Sequence, residues 1–323
     1  MENQGYNAAK TVSLKGVLEA AKRLAGIVTM TPLLPIPAPE ARLWIKCESL
    51  QLGGAFKMRG AYNRLARMSA EDRKAGVVAF SSGNHAQGVA RAAKMLGMPA
   101  AIVMPADAPA VKVDATRALG AEIILYDRHT ESREQIAAAL AAERSAVLVP
   151  SFDDPDVVEG QGTAGLEILE QLGHAPARLI TPCGGGGLAA GLALALPDTE
   201  IIVAEPEGWD DMGRSLALGA IVEVPADAPF TSCDALQTKR VADITFNTLY
   251  TAGARGVWAS EAEVHTAMRH AFDLGLVVEP GGAVALAAWL AGKLLPIDGD
   301  TVIICSGSNV DPAAYARVLT EKD

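Results

Sequence analysis

One pattern recurs along most of the chain: a short apolar run is followed by an alanine-rich stretch with helical periodicity. Apolar runs without alternation are typical of strands that are buried on both faces, as in parallel sheets covered by helices. The runs predicted as strands are Leu43–Cys47, Val77–Ser81, Ala101–Met104, Glu122–Tyr126, Ala146–Pro150, Arg178–Pro182, Ile201–Ala204 and Thr301–Cys305. The pattern therefore predicts an α/β fold built from open parallel sheets.

The segment after Val77–Ser81 shows how one such unit is built. Apolar residues recur there at positions i, i+3, i+4 and i+7, which form one face of a helix. These residues are Ala86, Val89, Ala90 and Ala93. Gly97 stands where a helix-terminating glycine is expected, and Pro99 prevents the helix from continuing. A second unit follows, with a helix over Val111–Leu119 and the strand Glu122–Tyr126.

Length and composition limit the class of protein. The 323 residues suit two domains, and a hydrophobic share of 50% is enough for a full core. A formal net charge of −10 argues against a nucleic-acid partner. No segment is apolar over the length of a membrane span, and the first residues lack the pattern of a secretory signal, so a cytoplasmic protein is expected. The widely spaced cysteines predict neither a zinc site nor a disulfide framework.

Lys57 lies in the segment Gly-Gly-Ala-Phe-Lys-Met-Arg-Gly-Ala, among small and apolar residues. A lysine amine is nucleophilic only when it is neutral, and burial favours the neutral form because it lowers the pKa. Schiff-base lysines need such surroundings. For a lysine taken alone, a surface position beside a helix start is the simpler interpretation.

Four consecutive glycines follow the predicted strand Arg178–Pro182 and precede a helical stretch; they are Gly184, Gly185, Gly186 and Gly187. The backbone N–H groups of such a loop can surround an anion, and the helix N-terminus adds partial positive charge. The segment matches neither the dinucleotide nor the triphosphate pattern, and no lysine follows it. A single phosphate monoester is therefore the predicted ligand, with a flexible turn as the alternative.

Three further segments carry polar groups after predicted strands. Residues 81–88, Ser-Ser-Gly-Asn-His-Ala-Gln-Gly, suit a substrate carboxylate, or else form an ordinary capped helix start. Residues 306–309, Ser-Gly-Ser-Asn, follow a strand at the edge where open α/β sheets bind ligands, although a polar turn explains them equally well. Residues 205–211 offer several oxygen ligands for a hard cation, or form a solvated acidic loop.

Taken in this order, the segments resemble the fold-type II pyridoxal-phosphate enzymes of the serine/threonine dehydratase and serine racemase group. The resemblance runs from Thr31 to Asn309 and depends on three motifs together: Lys57 in its setting, the 81–88 segment and the glycine loop. It implies a tryptophan-synthase-β-like α/β fold with two open parallel-sheet domains. Residues 1–78 plus 151–323 are expected to form a large cofactor-binding domain. Residues 79–150 are expected to form a small inserted domain that closes over the substrate.

The resemblance implies how pyridoxal 5'-phosphate is held. Lys57 is expected to carry the cofactor covalently and then to remove the Cα proton of the substrate, with Phe56 against the cofactor ring. Asn84 matches the asparagine that bonds the ring hydroxyl. Ser306 matches the serine that bonds the pyridine nitrogen. The four glycines match the phosphate loop.

The resemblance also implies residues at the substrate end of the site. Ser81, Ser82 and His85, together with Asn84, lie in the loop that takes the substrate carboxylate, and Ser82 matches the acid/base of racemases on the face opposite the lysine. Arg133 matches an arginine near the substrate end, which either binds a second carboxylate or forms a structural ion pair. The residues matching ligands of Mg²⁺ or another divalent cation are Glu205, Asp211 and, through its carbonyl, Trp209.

The sequence departs from the family pattern at two places in the pocket. Ala55 stands where many members have a serine, which is expected to alter the pocket lining. The segment Asp234–Thr238 differs from the Asp-Gly pattern common in that position, which puts the identity of the substrate in doubt.

The expected function is that of an ammonia-lyase, a dehydratase that converts an L-threonine- or L-serine-type amino acid to a 2-keto acid and ammonia by β-elimination of water. The alternatives are a serine- or aspartate-type racemase and a 3-hydroxyaspartate dehydratase. Two further alternatives are a β-replacement synthase and a non-enzymatic binding protein. The expected partner is a small amino-acid substrate, and a homodimer is the family expectation.

Overall fold

The computed structural model describes residues 11–38, 41–81, 83–108 and 110–320. The strands in these ranges are β1 (Leu33–Ile36), β2 (Arg42–Lys46), β3 (Val77–Phe80), β4 (Ala100–Pro105), β5 (Glu122–Tyr126), β6 (Val147–Leu148), β7 (Arg178–Pro182), β8 (Glu200–Pro206), β9 (Arg255–Ala259) and β10 (Asp300–Ile304). The helices are α1 (Leu14–Leu24), α2 (Lys57–Ala66), α3 (Ala70–Ala75), α4 (Asn84–Leu96), α5 (Ala110–Ala118), α6 (Arg133–Arg144), α7 (Pro155–Leu172), α8 (Gly187–Ala195), α9 (Asp211–Leu218), α10 (Asp243–Thr251), α11 (Glu261–Asp273), α12 (Pro280–Leu290) and α13 (Pro312–Thr320). Two short 3₁₀ helices span Glu48–Leu50 and Asp234–Leu236.

The strands form two sheets. The larger sheet has the order β1-β2-β10-β7-β8-β9, and within it β1 alone pairs in the antiparallel sense. The smaller sheet has the order β5-β4-β3-β6 and is parallel throughout. The strand of this sheet that comes first in the sequence, β3, begins at residue 77, before the domain boundary predicted at residue 79. The division into a large and a small inserted domain stays a prediction.

Each predicted strand overlaps an observed one, whereas β1 and β9 were not predicted. Both are the edge strands of the larger sheet and expose half or more of their residues, so neither is buried on both faces as a central strand is. The helix predicted after residues 81–83 is α4, and Gly97 ends it in the left-handed conformation, as predicted. Among the described helices, none combines the length and apolar character needed to cross a membrane.

Apolar helices cover both faces of the larger sheet. Residues 280–288 of α12 are buried all round the helix. Of these, residues 283–288 belong to a cluster with Ile180, Ile202 and Ile303 of the sheet. On the other face, α8 packs with Leu179, Val203 and Val302. This sandwich holds the carboxyl ends of the central strands in fixed positions.

Close contact between two helices fixes the position of α8. Gly162 in α7 faces Gly191 in α8, and a Cβ atom at Gly162 would lie 2.5 Å from the carbonyl oxygen of Gly191. Any larger side chain would therefore separate the helices. Because α8 begins at the glycine loop, this contact also places that loop.

A buried network of charges anchors α2, the helix that begins at Lys57. Arg59 donates to both oxygens of Glu48 at 2.8 and 2.7 Å, and to both oxygens of Glu167 at 2.6 and 2.8 Å. Lys46 adds a contact of 2.6 Å to Glu167. The Arg59, Glu48 and Lys46 side chains are inaccessible to solvent. The network joins α2 to β2, to the 3₁₀ helix at Glu48 and to α7.

The electrostatics of this network keep its members charged. Burial opposes the ionisation of Glu48, but the adjacent Arg59 guanidinium and its hydrogen bonds hold the pKa of that carboxyl below its usual value. Burial lowers the pKa of Lys46, and Glu167 opposes that effect. Buried charges are tolerated only when they are paired and hydrogen-bonded in this way.

We expect Glu48→Gln to lower the free energy of unfolding by about 3 kcal/mol, because it leaves two buried cations with a single carboxylate. Denaturant unfolding of the purified protein measures this. The matched control is Glu122→Gln, since Glu122 bonds Arg144 on the surface, and its loss should cost less than about 1 kcal/mol. Equal losses in the two variants would contradict the anchoring role of the network.

Candidate active site

A cavity of about 460 Å³ lies where segments from both sheets meet. Lys57 lines it, together with residues after β3, after β6 and from the segment 234–242. Of the residues predicted at the site, those that line the cavity are Lys57, Ser81, Asn84, His85 and Arg133. The structure thus brings together residues that are far apart in the sequence.

Lys57 is the first residue of α2 and is half-buried. Its Nζ donates to the carbonyl oxygen of Ser151 at 3.0 Å and lies 5.0 Å from the centre of the Phe56 ring. Burial lowers the pKa of the Lys57 amine to about 8. A substantial fraction of the amine is therefore neutral near pH 8, as nucleophilic or basic chemistry requires.

The backbone before Lys57 is tied to the end of β10. Gly53 and Gly54 both have positive φ values, of 86° and 77°, which turn the chain before the helix. Ala55 forms an isolated bridge with Gly307, and the N–H of Phe56 donates to the carbonyl oxygen of Ser306 at 3.2 Å. Lys57 and the 306–309 segment are consequently neighbours.

His85 is buried beside Lys57 and is neutral. Burial, and secondarily the positive charge of Lys57, lowers the pKa of His85 to about 3. One ring nitrogen, Nε2, lies 2.9 Å from the carbonyl oxygen of Val149, which can only accept, so Nε2 carries the proton. The other nitrogen, Nδ1, is left as an acceptor without a described partner.

Asn84 is held by two side chains from distant parts of the chain. Its Nδ2 donates to Glu279 Oε1 at 2.5 Å, and its Oδ1 accepts from Asn309 Nδ2 at 2.7 Å. Both Asn84 and Glu279 are buried. Glu279 has no predicted role, because it lies outside the motifs that follow the predicted strands.

The glycine loop lies at the N-terminus of α8 and behind the cavity wall. Gly186 has a φ of 88° and precedes the helix, whose first N–H groups have no acceptor within the helix. A Cβ atom at Gly185 would overlap the ring of Phe152, and one at Gly184 would lie 3.1 Å from Thr238 Oγ1. Phe152 and Thr238 line the cavity, so the loop is separated from it by one layer of side chains.

Ser306 is buried after β10 and does not line the cavity. The next residue, Gly307, is in close contact with Glu279 and Asn84, since a Cβ atom at Gly307 would lie 3.0 Å from Asn84 Nδ2. Ser306 is therefore the residue directly before the one that contacts Asn84. Ser82, predicted as a substrate-binding and acid/base residue, lies outside the described residues.

Arg133 is the first residue of α6 and lies on the outer wall of the cavity. Its guanidinium lies 5.5 Å from the centre of the Phe80 ring and donates to Glu134 at 2.8 Å. Both members of this ion pair are exposed, by 45% and 56%. Such a pair contributes little to stability, so the guanidinium is free to exchange its partner for a ligand.

The residues predicted to bind a cation lie away from the cavity. Glu205 accepts from the backbone N–H groups of Met212 and Gly213 at 3.0 and 2.8 Å. Both oxygens of Asp211 are buried and have no described partner in normal hydrogen-bond geometry. Burial raises the pKa of Glu205 well above its usual value and that of Asp211 to about 7. Within the described ranges, no three His, Cys, Asp or Glu side chains converge on one point.

Comparison with known proteins identifies the family. A family model for pyridoxal-phosphate dependent enzymes matches residues 12–307. The L-threo-3-hydroxyaspartate ammonia-lyase of Pseudomonas sp is 45% identical over 317 residues, which cover 95% of this chain and 98% of the relative. The enzyme with the same name from Saccharomyces cerevisiae is 42% identical, with coverage of 95% and 96%. The structure of maize serine racemase superposes with a TM-score of 0.89 at 35% identity and covers 95% of this chain and 96% of that one.

The geometry fits pyridoxal phosphate. Lys57 provides an amine with a lowered pKa, and the glycine loop lies at a helix N-terminus whose first N–H groups have no acceptor within the helix. The predicted family, the two-sheet α/β fold and the cofactor are thereby confirmed, as is the expectation of a lyase-type enzyme. The chain belongs to the pyridoxal-phosphate dependent enzymes, in the group that contains the ammonia-lyases and serine racemases.

Proposed function

We propose that this protein is an ammonia-lyase whose preferred substrate is 3-hydroxyaspartate rather than L-threonine or L-serine. The observation that carries the proposal is the position of Arg133 in the same cavity as Lys57. Two relatives, 45% and 42% identical, bear the name L-threo-3-hydroxyaspartate ammonia-lyase. Together they favour a substrate with a second carboxylate over the threonine- or serine-type substrate expected from the sequence.

Charge in the cavity supports binding of a dicarboxylate. Lys239 and Arg240 line it in addition to Arg133. The lining contains three carboxylates. Glu134 bonds Arg133 and Asp234 bonds Lys112. The third is Asp153, and burial raises its pKa, which Arg240 opposes. A guanidinium binds a carboxylate through two parallel hydrogen bonds, which gives orientation as well as affinity.

We propose that the predicted residues hold the cofactor: Lys57 covalently, the glycine loop at the phosphate, Asn84 at the ring hydroxyl, and Ser306 at the pyridine nitrogen, with Phe56 against the ring. When bound, pyridoxal phosphate supplies the electron sink that makes the Cα–H bond of an amino acid acidic. The protein supplies position and proton transfer.

Lys57 is the proposed base for the Cα proton. Its amine has a lowered pKa and lies in the cavity, whereas His85, the other titratable group beside it, is neutral with a pKa of about 3. A neutral His85 with its Nε2–H fixed on Val149 adds no positive charge next to the amine. His85 therefore acts as a polar wall, and Lys57 exchanges the Cα proton.

The net reaction balances as an elimination followed by hydrolysis. The Cα–H and Cβ–O bonds break: Lys57 takes the Cα proton, and the hydroxyl leaves as water with one proton drawn from solvent. Lys57 then returns its proton to solvent, so that the elimination releases one water in net. The enamine that is released becomes an imine, and water converts it to a keto acid and ammonia. From 3-hydroxyaspartate the products are oxaloacetate and ammonia.

We also propose that residues 79–150 form the small domain that closes over the substrate. Lys112 in α5 pairs with Asp234, which belongs to the segment between α9 and α10. This ion pair joins the segment that contains the smaller sheet to the segment that contains the larger sheet. It lies beside the cavity, because Asp234 is part of the cavity lining.

Arg133→Gln should raise KM for L-threo-3-hydroxyaspartate by about tenfold or more, because a charge-assisted pair of hydrogen bonds is lost. The kcat/KM for L-serine should change by less than about threefold, because serine has no second carboxylate. Steady-state release of ammonia and keto acid measures both. The matched control is Arg144→Gln, at the other end of α6, where the arginine bonds Glu122 on the surface.

Three results would contradict the substrate assignment. An unchanged KM for hydroxyaspartate in the Arg133→Gln variant would show that the Arg133 guanidinium does not bind the substrate. A wild-type preference for L-threonine or L-serine would restore the substrate class expected from the sequence. Accumulation of D-serine from L-serine faster than pyruvate would identify a racemase.

The rate at which apoprotein forms the visible absorption band with pyridoxal phosphate should rise with pH and level off above about pH 8. The reason is that the neutral amine attacks the cofactor carbonyl and the pKa of Lys57 is about 8, whereas an unperturbed lysine would give a rise up to about pH 10.4. Stopped-flow absorbance measures the rate, and Lys57→Ala, which lacks the amine, is the control that should show no band. A rate that still climbs steeply above about pH 9 would show that Lys57 is not desolvated.

We further propose that Glu205, Asp211 and the carbonyl of Trp209 bind Mg²⁺ or another divalent cation. The support is the pair of buried carboxyls, of which Asp211 has no described partner in normal hydrogen-bond geometry for either oxygen. Oxygen ligands of this kind suit Mg²⁺ and Ca²⁺.

Millimolar Mg²⁺ or Ca²⁺ should raise the Tm of the wild-type protein, since a ligand that binds only the folded state stabilises it. The increase should disappear in Asp211→Asn and persist in Asp210→Asn, the control, because Asp210 faces Arg214 instead. Differential scanning calorimetry after treatment with a chelator measures the effect. Equal shifts in Asp211→Asn and wild type would place any bound cation elsewhere.

A further inference from the structure

Glu279 occupies the N-cap position of α12, but its side chain does not cap that helix. The carboxyl instead contacts Asn84, 195 positions away in the sequence, and is buried to 3% exposure. Burial, with a smaller contribution from Asp234, raises the pKa of Glu279 to about 7. A carboxyl group buried beside an amide, with no cation in contact among the described residues, is costly for folding and calls for a functional explanation.

The hydrogen bonds that reach Glu279 have a fixed direction. Asn309 Nδ2 donates to the backbone carbonyl of Gly53 at 2.9 Å, and a carbonyl can only accept. The same Nδ2 lies 2.7 Å from Asn84, which must therefore present its oxygen there. The Asn84 nitrogen is then directed to Glu279 Oε1 at 2.5 Å. The orientation of the Asn84 amide thus follows from the backbone of Gly53.

This arrangement leaves Asn84 with one free donor. Its oxygen is engaged by Asn309, and one of its two amide hydrogens is engaged by Glu279. Asn84 lines the cavity that contains Lys57, so its second amide hydrogen is a donor that it can offer to a ligand there. An amide turned the other way would offer an acceptor instead.

We propose that Glu279 is a positioning residue, which holds the Asn84 amide so that Asn84 donates a hydrogen bond to the ring oxygen of the cofactor. The inference rests on the proposed contact between Asn84 and the cofactor ring. A donor at this oxygen favours its deprotonated form, in which the ring is conjugated as a phenolate. Glu279 therefore selects the ionisation state of the cofactor without touching the reacting atoms.

The test compares Glu279→Leu with Glu279→Gln in the apoprotein and the cofactor-loaded protein. Leucine removes the acceptor, whereas the glutamine carbonyl still accepts from Asn84. We expect Glu279→Leu to weaken pyridoxal phosphate binding by about tenfold in a fluorescence titration. The absorption band of its bound cofactor should move to shorter wavelength, as a protonated ring oxygen requires. Glu279→Gln should keep the wild-type band and bind within about threefold of wild type.

A second variant breaks the same chain of bonds at its origin. In Asn309→Asp, an ionised carboxylate cannot donate to Gly53 or to Asn84, so the orientation of the Asn84 amide is lost. It should reproduce the spectral shift of Glu279→Leu. The Tm of apo Glu279→Leu should equal or exceed that of wild type, because an uncompensated buried carboxyl is removed.

Two outcomes would overturn the inference, and they are distinguishable. If Glu279→Leu lowers the apo Tm but binds pyridoxal phosphate with wild-type affinity and spectrum, Glu279 has a structural role only. If wild type shows no visible band that Lys57→Ala abolishes, the proposed cofactor site itself fails, and the role of Glu279 fails with it. A shifted band in both the Glu279→Leu and the Asn309→Asp proteins, restored in Glu279→Gln, supports positioning.

Discussion

The bonds between Arg59 and the carboxylates Glu48 and Glu167 are the interaction on which the position of the site depends. Arg59 is the third residue of α2, and Lys57 is the first. All three nitrogens of the Arg59 guanidinium donate to one of these carboxylates. The group therefore cannot rotate without breaking several charge-assisted bonds. The same bonds reach α7, which packs through Gly162 on the helix that follows the glycine loop. One buried network therefore fixes the Lys57 amine and the glycine loop relative to each other.

The order of the strands then determines which residues meet. β10 is the last strand in the sequence, yet it lies between β2 and β7 in the larger sheet. Its carboxyl end therefore lies beside the ends of β2 and β7, which lead to the Lys57 segment and to the glycine loop. The smaller sheet adds Asn84 from the loop after β3. Ligands bind at such edges because several loops converge there on strands that cannot move.

The local pattern of the sequence predicts the central strands well and the edge strands poorly. Central strands such as β7 are buried on both faces and appear as unbroken apolar runs, whereas β1 and β9 are half exposed and lack that signal. Lys57, Asn84 and His85 are identifiable because each lies in a motif. Their surroundings depend on contacts over long sequence separations, such as His85 with Val149, which no local pattern encodes. The resemblance to a family supplied the roles that the motifs alone left open.

Glu279 shows what sequence patterns miss, because it belongs to no motif and its contact is with Asn84, 195 positions away. Buried carboxyls in this protein fall into two kinds. Glu48 faces Arg59, and its pKa is held low, so its charge serves the fold. Glu205, Asp211 and Glu279 lack a contacting cation among the described residues, and burial raises the pKa of each. A protein selected for stability alone would replace such groups by apolar side chains. The buried carboxyls Glu205 and Asp211 are explained if a bound cation compensates the cost of their burial. The burial of Glu279 is explained by the orientation that it imposes on Asn84.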